Sequence, residues 1–436
     1  MKTVNVIGAG LAGCEVAYRL ANNNIKVNLY EQKPQKHSEA HKSEYFAELV
    51  CSNSLRSNVL SNAVGLLKEE MSRLGSLVME AAYNTKVPAG GALAVDRTEF
   101  SKYITEKIKN HPNIDIIYGE YTEIKDDECT VIATGPLTSE NLFKNIKEYT
   151  SYDDLYFYDA AAPIVSFDSI DMSKAFKAAR YNKGDADYIN CPMTKEEYDV
   201  FYDALVNAET APLKEFEKEV VFEGCMPVET MAKRGYNTLL FGPLKPVGLR
   251  SESMEKDAYA VVQLRQDNLN GTMYNIVGFQ THLKFPEQKR VFSMIPGLEN
   301  AEFLRYGVMH RNTFINSPKV LNNHYGLKNN ENIYFAGQIT GVEGYIESAS
   351  SGLLCGIYLS RKLNGLEVKE FSSKTAIGAL SNYVSDSTVE KFQPMNVNFG
   401  IIEPLGYRVK GKQEKNLEIA KRALEEIDYM VENRLI

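Results

Sequence analysis

Two of the six cysteines stand where a thiol could serve as a nucleophile rather than fill space. Cys51 lies in ELVCSNSLRS (residues 48–57), a polar turn between expected helices, with Arg56 nearby. Cys225 lies in FEGCMPVET (222–230), ahead of Pro227, a residue suited to the first turn of a helix. A thiolate at a helix N-terminus is stabilised by the backbone dipole; Lys233 and Arg234 would add to that, while Glu223 and Glu229 oppose it. Cys14 and Cys355 are expected inside helices and Cys129 on a strand, as packing, whereas Cys191 in YINCPMT is open to either reading. No C-x-x-C pair occurs, the histidines show no ligand spacing, and neither a Ser-His-Asp arrangement nor an H-E-x-x-H motif is present. No metal and no disulfide framework is therefore expected.

The elements that would position these thiols begin with VIGAGLAG at residues 6–13. Val4, Val6 and Ile7 read as a buried strand, residues 11–21 as a helix, and 25–30 as a second strand ending at Glu31. In such a unit Gly8 permits the tight turn, and Gly10 lets the backbone approach a pyrophosphate beside Ala9, Leu11 and Ala12. Gly13 brings helix and strand together, and Glu31 accepts from a ribose hydroxyl. Residues 98–109 then read as an amphipathic helix and 114–118 as a strand. CTVIATGP (129–136) is a further strand leaving the sheet at Gly135. NIYFAGQITGVEG (332–344) is a late strand and glycine loop carrying Gly337, Gln338, Gly341 and Gly344, followed by a helix from 345 to 363 closed by Asn364-Gly365. One such unit would serve NAD; three pieces in this order favour FAD, with the last helix's N-terminus directed at the flavin ring. Gln338 stands where FAD enzymes usually carry Asp, so an acid-to-ribityl contact becomes an amide contact.

The expected fold is α/β: a Rossmann-like FAD-binding domain of the glutathione-reductase type with an inserted α+β substrate domain. Residues 1–140 form its first part, 141–325 the inserted substrate or RNA-facing domain, and 326–436 the closing part with C-terminal helices. Strand-like runs at 258–264 and 274–280 fall in the insertion. So do basic residues, among them Lys284, Lys289, Arg290 and Arg311, interleaved with Phe285, Phe292, Tyr306 and Phe314. Cations can take phosphates and aromatic faces can stack on an unpaired base; a solvated surface is the plainer reading. A second basic run spans 408–415. With 44% hydrophobic and 24% charged residues in 436, the composition is that of a globular protein. A net charge of −8 excludes a chain-wide basic surface but not a local patch. No apolar run approaches a membrane span and no secretory signal is read at the start, so no membrane association and a cytoplasmic location are expected.

At these segments the sequence resembles the folate- and FAD-dependent tRNA (uracil-C5-)-methyltransferase family, TrmFO, along nearly the whole chain. VIGAGLAGCEVAYRL, CSNSLRS, PAGGALAVDRTEF (88–100), DYINCPMTKEEY (187–198) and FEGCMPVETMAKRGYNTLLFGPLKPVGL (222–249) carry the likeness. So do VGFQTHLKFPEQKRVFSMIPGLENAEFLRYGVMHRNTFI (277–315) and FAGQITGVEGYIESASSGLLCG (335–356), the last shared in style with the larger flavoprotein MnmG. The extra helical C-terminal region of MnmG is not expected here.

The resemblance implies transfer of the methylene carbon of 5,10-methylenetetrahydrofolate to C5 of a tRNA T-loop uridine, with electrons from NAD(P)H passing through FAD. Uracil C5 is a poor nucleophile, so a thiolate first adds at C6. Cys225 is then the expected C6 nucleophile, and Cys51 the group for C5 proton transfer or an alternative nucleophile. The target uridine would flip out of its folded loop. The same chemistry on a ribosomal RNA uridine, an NAD(P)H-dependent flavin oxidoreductase with a small-molecule substrate, and a flavin-stabilised RNA chaperone are the alternatives. The oligomeric state is not legible.

Overall fold

The computed structural model describes all residues except 1, 39, 151–154, 183–184, 212–225, 251–256 and 390–391. Its central element is a five-stranded parallel sheet in the order Ile333–Phe335, Thr130–Ile132, Thr3–Ile7, Lys26–Glu31, Ile114–Tyr118. Val4, Val6, Val27, Leu29 and Val131 are fully buried, as expected of strands covered on both faces. The chain leaves Thr3–Ile7 for Lys26–Glu31 on one side, while Thr130–Ile132 joins it on the other. Strand order therefore reverses at the first strand, and a crevice opens at the carboxyl ends there.

Two helices line that crevice. Leu11–Asn22 follows the first strand and packs against Tyr345–Leu363, which follows the last. Their approach requires small residues: a Cβ built on Gly352 would lie 2.4 Å from the Ala12 carbonyl oxygen. Arg97–Lys109 brings the chain to the edge strand, its N-terminus capped by the Asp96 carboxylate, which accepts the Thr98 and Glu99 N–H groups.

A second layer forms a six-stranded sheet in the order Phe176–Ala178, Tyr188–Met193, Ala260–Gln266, Met273–Ile276, Ile164–Ser166, Phe303–Arg305, all antiparallel. Lys195–Val206 and Phe285–Phe292 cover it, and Tyr198, Phe201, Phe279 and Phe292 fill a separate apolar core. Leu155–Ala160 and Met309–Phe314 pair antiparallel where the chain enters and leaves this layer. A small sheet of Ser54–Ser57, Lys86–Val87 and Ala92–Val95 sits on the nucleotide side. The C-terminal helix Lys412–Glu432 packs on Ala63–Arg73.

The expected helices at 11–21, 98–109 and 345–363 appear within a residue at each end. The run expected as a strand at 274–280 stops at Ile276, because Gly278 adopts a left-handed φ of 78° against Pro243 and turns the chain. Cys129 precedes its strand rather than lying on it. Cys14 and Cys355 are buried in the two paired helices. Cys191 is resolved as packing: it is buried within its strand, and burial pushes its thiol up to about 12.

Candidate functional site

The crevice encloses about 1170 Å³, its open mouth included. Gly8 to Ala12, Glu31, the Thr134–Thr138 turn with Gly135, Gly337 and Gln338 line it continuously. Gly10 caps the first helix without any side-chain hydrogen bond, and a Cβ there would meet nothing within 4 Å. The first-turn N–H groups thus face open space suited to an anion. Gly13 does the opposite: a Cβ on it would stand 1.8 Å from the Gly8 carbonyl oxygen. Gly8, Gly135, Gly337, Gly341 and Gly344 all take a left-handed φ.

Glu31 is buried, and its carboxylate accepts the N–H of Ala9 (3.0 Å) and of Lys33 (2.9 Å). Each oxygen retains a second lone pair, the capacity a ribose hydroxyl needs. Gln338 donates through Nε2 to Glu343 at 2.6 Å, which fixes its amide beside the glycine loop. Glycine turns at one end of the sheet, a buried acid at the end of the second strand and a helix start without a side-chain cap together fit a dinucleotide.

Cys51 stands at the rim of this crevice, between Val50, which lines it, and a contact to Tyr345, the first residue of the long helix. The Cys51 Sγ lies 3.0 Å from the Tyr345 Oη. That oxygen also accepts the N–H groups of Cys51 (2.8 Å) and Ser52 (3.3 Å). With both lone pairs so engaged, the phenol proton is the group left for the sulfur. Burial first, and the Cys51 sulfur second, hold the Tyr345 pKa well above its ordinary value, so the hydroxyl keeps its proton.

Two guanidinium groups strap the loop from behind. Arg97 donates to the Leu49 carbonyl (2.9 Å) and pairs with the buried Asp267 at 3.1 Å; Arg305 donates to the Val50 carbonyl (2.6 Å). Burial works against the Arg97 charge, but Asp267 and then Tyr345 outweigh it and raise its pKa. Asn53 adds a third tie, donating to the carbonyls of Val95 and Gln266 and accepting from Arg265. The loop is thereby clamped between the parallel sheet's layer and the inserted sheet. Positive charge and a hydroxyl donor are the surroundings in which a thiolate is favoured.

Cys225 lies outside the described residues. The helix expected after it is present as Val228–Lys233 with Pro227 at its N-cap. Glu229, expected to oppose a thiolate, is buried and takes the Thr281 hydroxyl (2.9 Å) and the His282 N–H (2.7 Å). Of the expected RNA-facing residues, Lys284 pairs with Glu209 at 2.6 Å and Arg290 with Glu287 at 2.6 Å, so their charge is locally balanced. Lys289 is exposed on the same short helix. Arg311 stands on the Met309–Phe314 strand opposite Tyr158, and its side chain lies outside the described part. Among the described residues no group of His, Cys, Asp and Glu could hold a metal ion, and no helix is long and apolar enough to cross a membrane.

Sequence reasoning missed Tyr345, Arg97, Arg305 and Asp267 as site residues. Arg97 sits in PAGGALAVDRTEF and Tyr345 directly after the glycine loop, but their partners are brought in only by the tertiary fold.

Fold and crevice define a protein with a Rossmann-type dinucleotide-binding layer and a second, antiparallel layer inserted into it. The chain matches the family described as Glucose inhibited division protein A (GIDA) over residues 3–367, and it belongs to that family. It is 64% identical over 421 residues to the "Methylenetetrahydrofolate--tRNA-(uracil-5-)-methyltransferase TrmFO" of Acetivibrio thermocellus, covering 97% of each chain. To the protein of the same name from Bacillus subtilis it is 59% identical over 426 residues, covering 98% of each. The solved structure of Aquifex aeolicus GidA superimposes with a TM-score of 0.69 at 16% identity, over 98% of this chain and 73% of that one, a likeness of fold.

Proposed function

We propose that this chain transfers the methylene carbon of 5,10-methylenetetrahydrofolate to C5 of a tRNA T-loop uridine and reduces it to a methyl group, forming 5-methyluridine. FAD would occupy the crevice, and NAD(P)H would supply the electrons. Support comes from the name carried by relatives 57–64% identical over nearly their whole length. The observation that carries the reading from the structure is the Cys51 Sγ, 3.0 Å from a protonated phenol at the rim of a dinucleotide crevice.

When bound, FAD supplies the two-electron reduction; Gly8–Gly13, Glu31, Gly135, Gly337, Gln338, Gly341 and Gly344 would hold it. The protein's own groups would do the rest. A thiolate at Cys225 adds to C6 of the uracil ring, places electron density at C5, and leaves again once C5 carries its new carbon. Cys51 accepts the C5 proton at its sulfur, with the Tyr345 hydroxyl donating to that sulfur beforehand. Arg97 and Arg305 keep the loop in place by holding the Leu49 and Val50 carbonyls. The inserted layer would face the RNA, in a cytoplasmic setting where tRNA is processed. The names that these relatives carry favour tRNA over ribosomal RNA.

The reading is tested by incubating purified protein with FAD, NAD(P)H, methylenetetrahydrofolate and unmethylated tRNA or rRNA in parallel. The expected result is 5-methyluridine at one T-loop position, abolished in Cys225→Ala with flavin retained. Methylation of rRNA alone, or turnover near wild type in Cys225→Ala, would contradict it.

A further inference from the structure

The cations on the Phe285–Phe292 helix are largely matched by neighbouring glutamates. Another surface carries lysines with no ion-pair partner among the described residues. It is an open groove of about 1560 Å³ between the start of Ala63–Arg73 and the first turn of Lys412–Glu432. Arg56, Lys412 and Lys415 line it together with Ser57, Asn62 and Asn398, and no carboxylate does. Lys412, Lys415 and the flanking Arg408 and Lys410 are exposed, and none makes an ion pair among the described residues.

Their position works against the helix that carries them. A helix N-terminus bears partial positive charge, so lysines in the first turn are unfavourable there, and Glu414 is the one acid in that turn. In the last turn of the same helix stands Glu432 and no base, while Asp428 pairs with Arg73. An anion seated in the groove would offset the cost of the first-turn lysines.

The inner end of the groove leads to the cysteine. Arg56 holds a left-handed φ of 65°, a conformation fixed by the buried Lys68, whose ammonium donates to the Leu55 (3.0 Å) and Arg56 (3.1 Å) carbonyls. The Arg56 guanidinium pairs with the buried Glu347, in the first turn of the long helix. That turn begins with Tyr345, the partner of Cys51. Arg56 thus joins the groove to the turn that holds the reactive loop.

We propose that this groove binds the sugar–phosphate backbone of the RNA substrate and delivers the target nucleotide to the Cys51 rim, an inference that rests on the RNA-methylation reading above. A phosphodiester chain is the occupant that matches two exposed, unpaired lysines set beside hydroxyl and amide donors. Lys412 and Lys415, three apart on one helix face, would each neutralise a phosphate.

The test compares the flavin-loaded wild type with Lys412→Ala/Lys415→Ala and, separately, Lys284→Ala/Lys289→Ala/Arg290→Ala. Binding of unmethylated tRNA is measured across salt concentrations, together with KM and kcat. For Lys412→Ala/Lys415→Ala the expectation is about tenfold weaker binding near 0.1 M salt and a log–log salt slope shallower by about 1.4–1.8, from roughly 0.7–0.9 per lost phosphate contact. KM for tRNA should rise, with kcat at saturating tRNA and flavin absorbance unchanged. Wild-type affinity and slope in this variant would overturn the groove assignment, as would a loss confined to the other triple variant. Wild type that binds no tRNA at any salt would instead overturn the RNA-substrate reading.

Discussion

The nucleotide crevice and the Cys51 loop lie side by side but are made in different ways. The crevice rests on backbone at its glycine turns, and the buried Glu31 among its lining residues spends itself on the N–H groups of Ala9 and Lys33. The loop is a side-chain structure, held by Tyr345, Arg97, Arg305 and Arg265 from four separate parts of the chain. A backbone site depends on positions where nothing fits. A side-chain site depends on buried partners that fail together when one is removed.

The contrast is broken most severely at Gly13. Gly13→Ala would drive a Cβ to within 1.8 Å of a carbonyl oxygen, costing about 3 kcal/mol or more and yielding little folded protein by thermal melting. Gly10→Ala meets nothing within 4 Å; it should melt like wild type and lose only flavin affinity by absorbance titration. Next comes Arg97→Ala, which leaves the buried Asp267 unpaired and should cost about 3–5 kcal/mol in denaturant unfolding. Restoring part of that stability with Arg97→Ala/Asp267→Asn, without restoring turnover, would separate fold from positioning.

Titration sharpens the contrast further, because backbone does not titrate near neutrality and buried side chains do. Glu70, beneath the loop's helix layer, caps Ala376–Ser385 through the Ala376 and Ile377 N–H groups (both 2.8 Å), and burial pushes its pKa up to about 7. Folded protein then holds a proton that unfolded protein releases above about pH 4.3. That stability is complete below the unfolded value and is lost as pH rises through about 7. Glu70→Gln should therefore flatten the fall in stability between pH 5 and 8 by about 2–3 kcal/mol in denaturant titrations. Smallest in stability is Tyr345→Phe, which removes an acceptor for two N–H groups at about 1–2 kcal/mol. Its turnover should fall about tenfold with the flavin spectrum retained.

The same division explains what was legible in the sequence. Gly8, Gly10, Gly13 and the 337–344 loop could be read because each glycine answers a local constraint repeated along a strand–turn–helix unit. The helix at 345–363 was legible from its periodicity and its Asn364-Gly365 stop. Arg305 reaching Val50 was not, since the partners stand 255 residues apart and only the inserted sheet brings them together. For the basic residues at 284–290 the spacing was visible, but the pairing of Lys284 with Glu209 and of Arg290 with Glu287 was not. Charge in a sequence becomes a field only after neighbours have been subtracted.

A folate one-carbon unit, rather than any other methyl source, is expected to reach tRNA on this chain. Incubating the FAD-loaded protein with NAD(P)H, unmethylated tRNA and methylenetetrahydrofolate carrying a ¹³C-labelled methylene tests it directly by mass spectrometry of the nucleosides. ¹³C is expected in the C5 methyl of a T-loop uridine, and none when Cys225 is replaced by Ala. Unlabelled 5-methyluridine, or no 5-methyluridine from a protein that binds both flavin and tRNA, would contradict it.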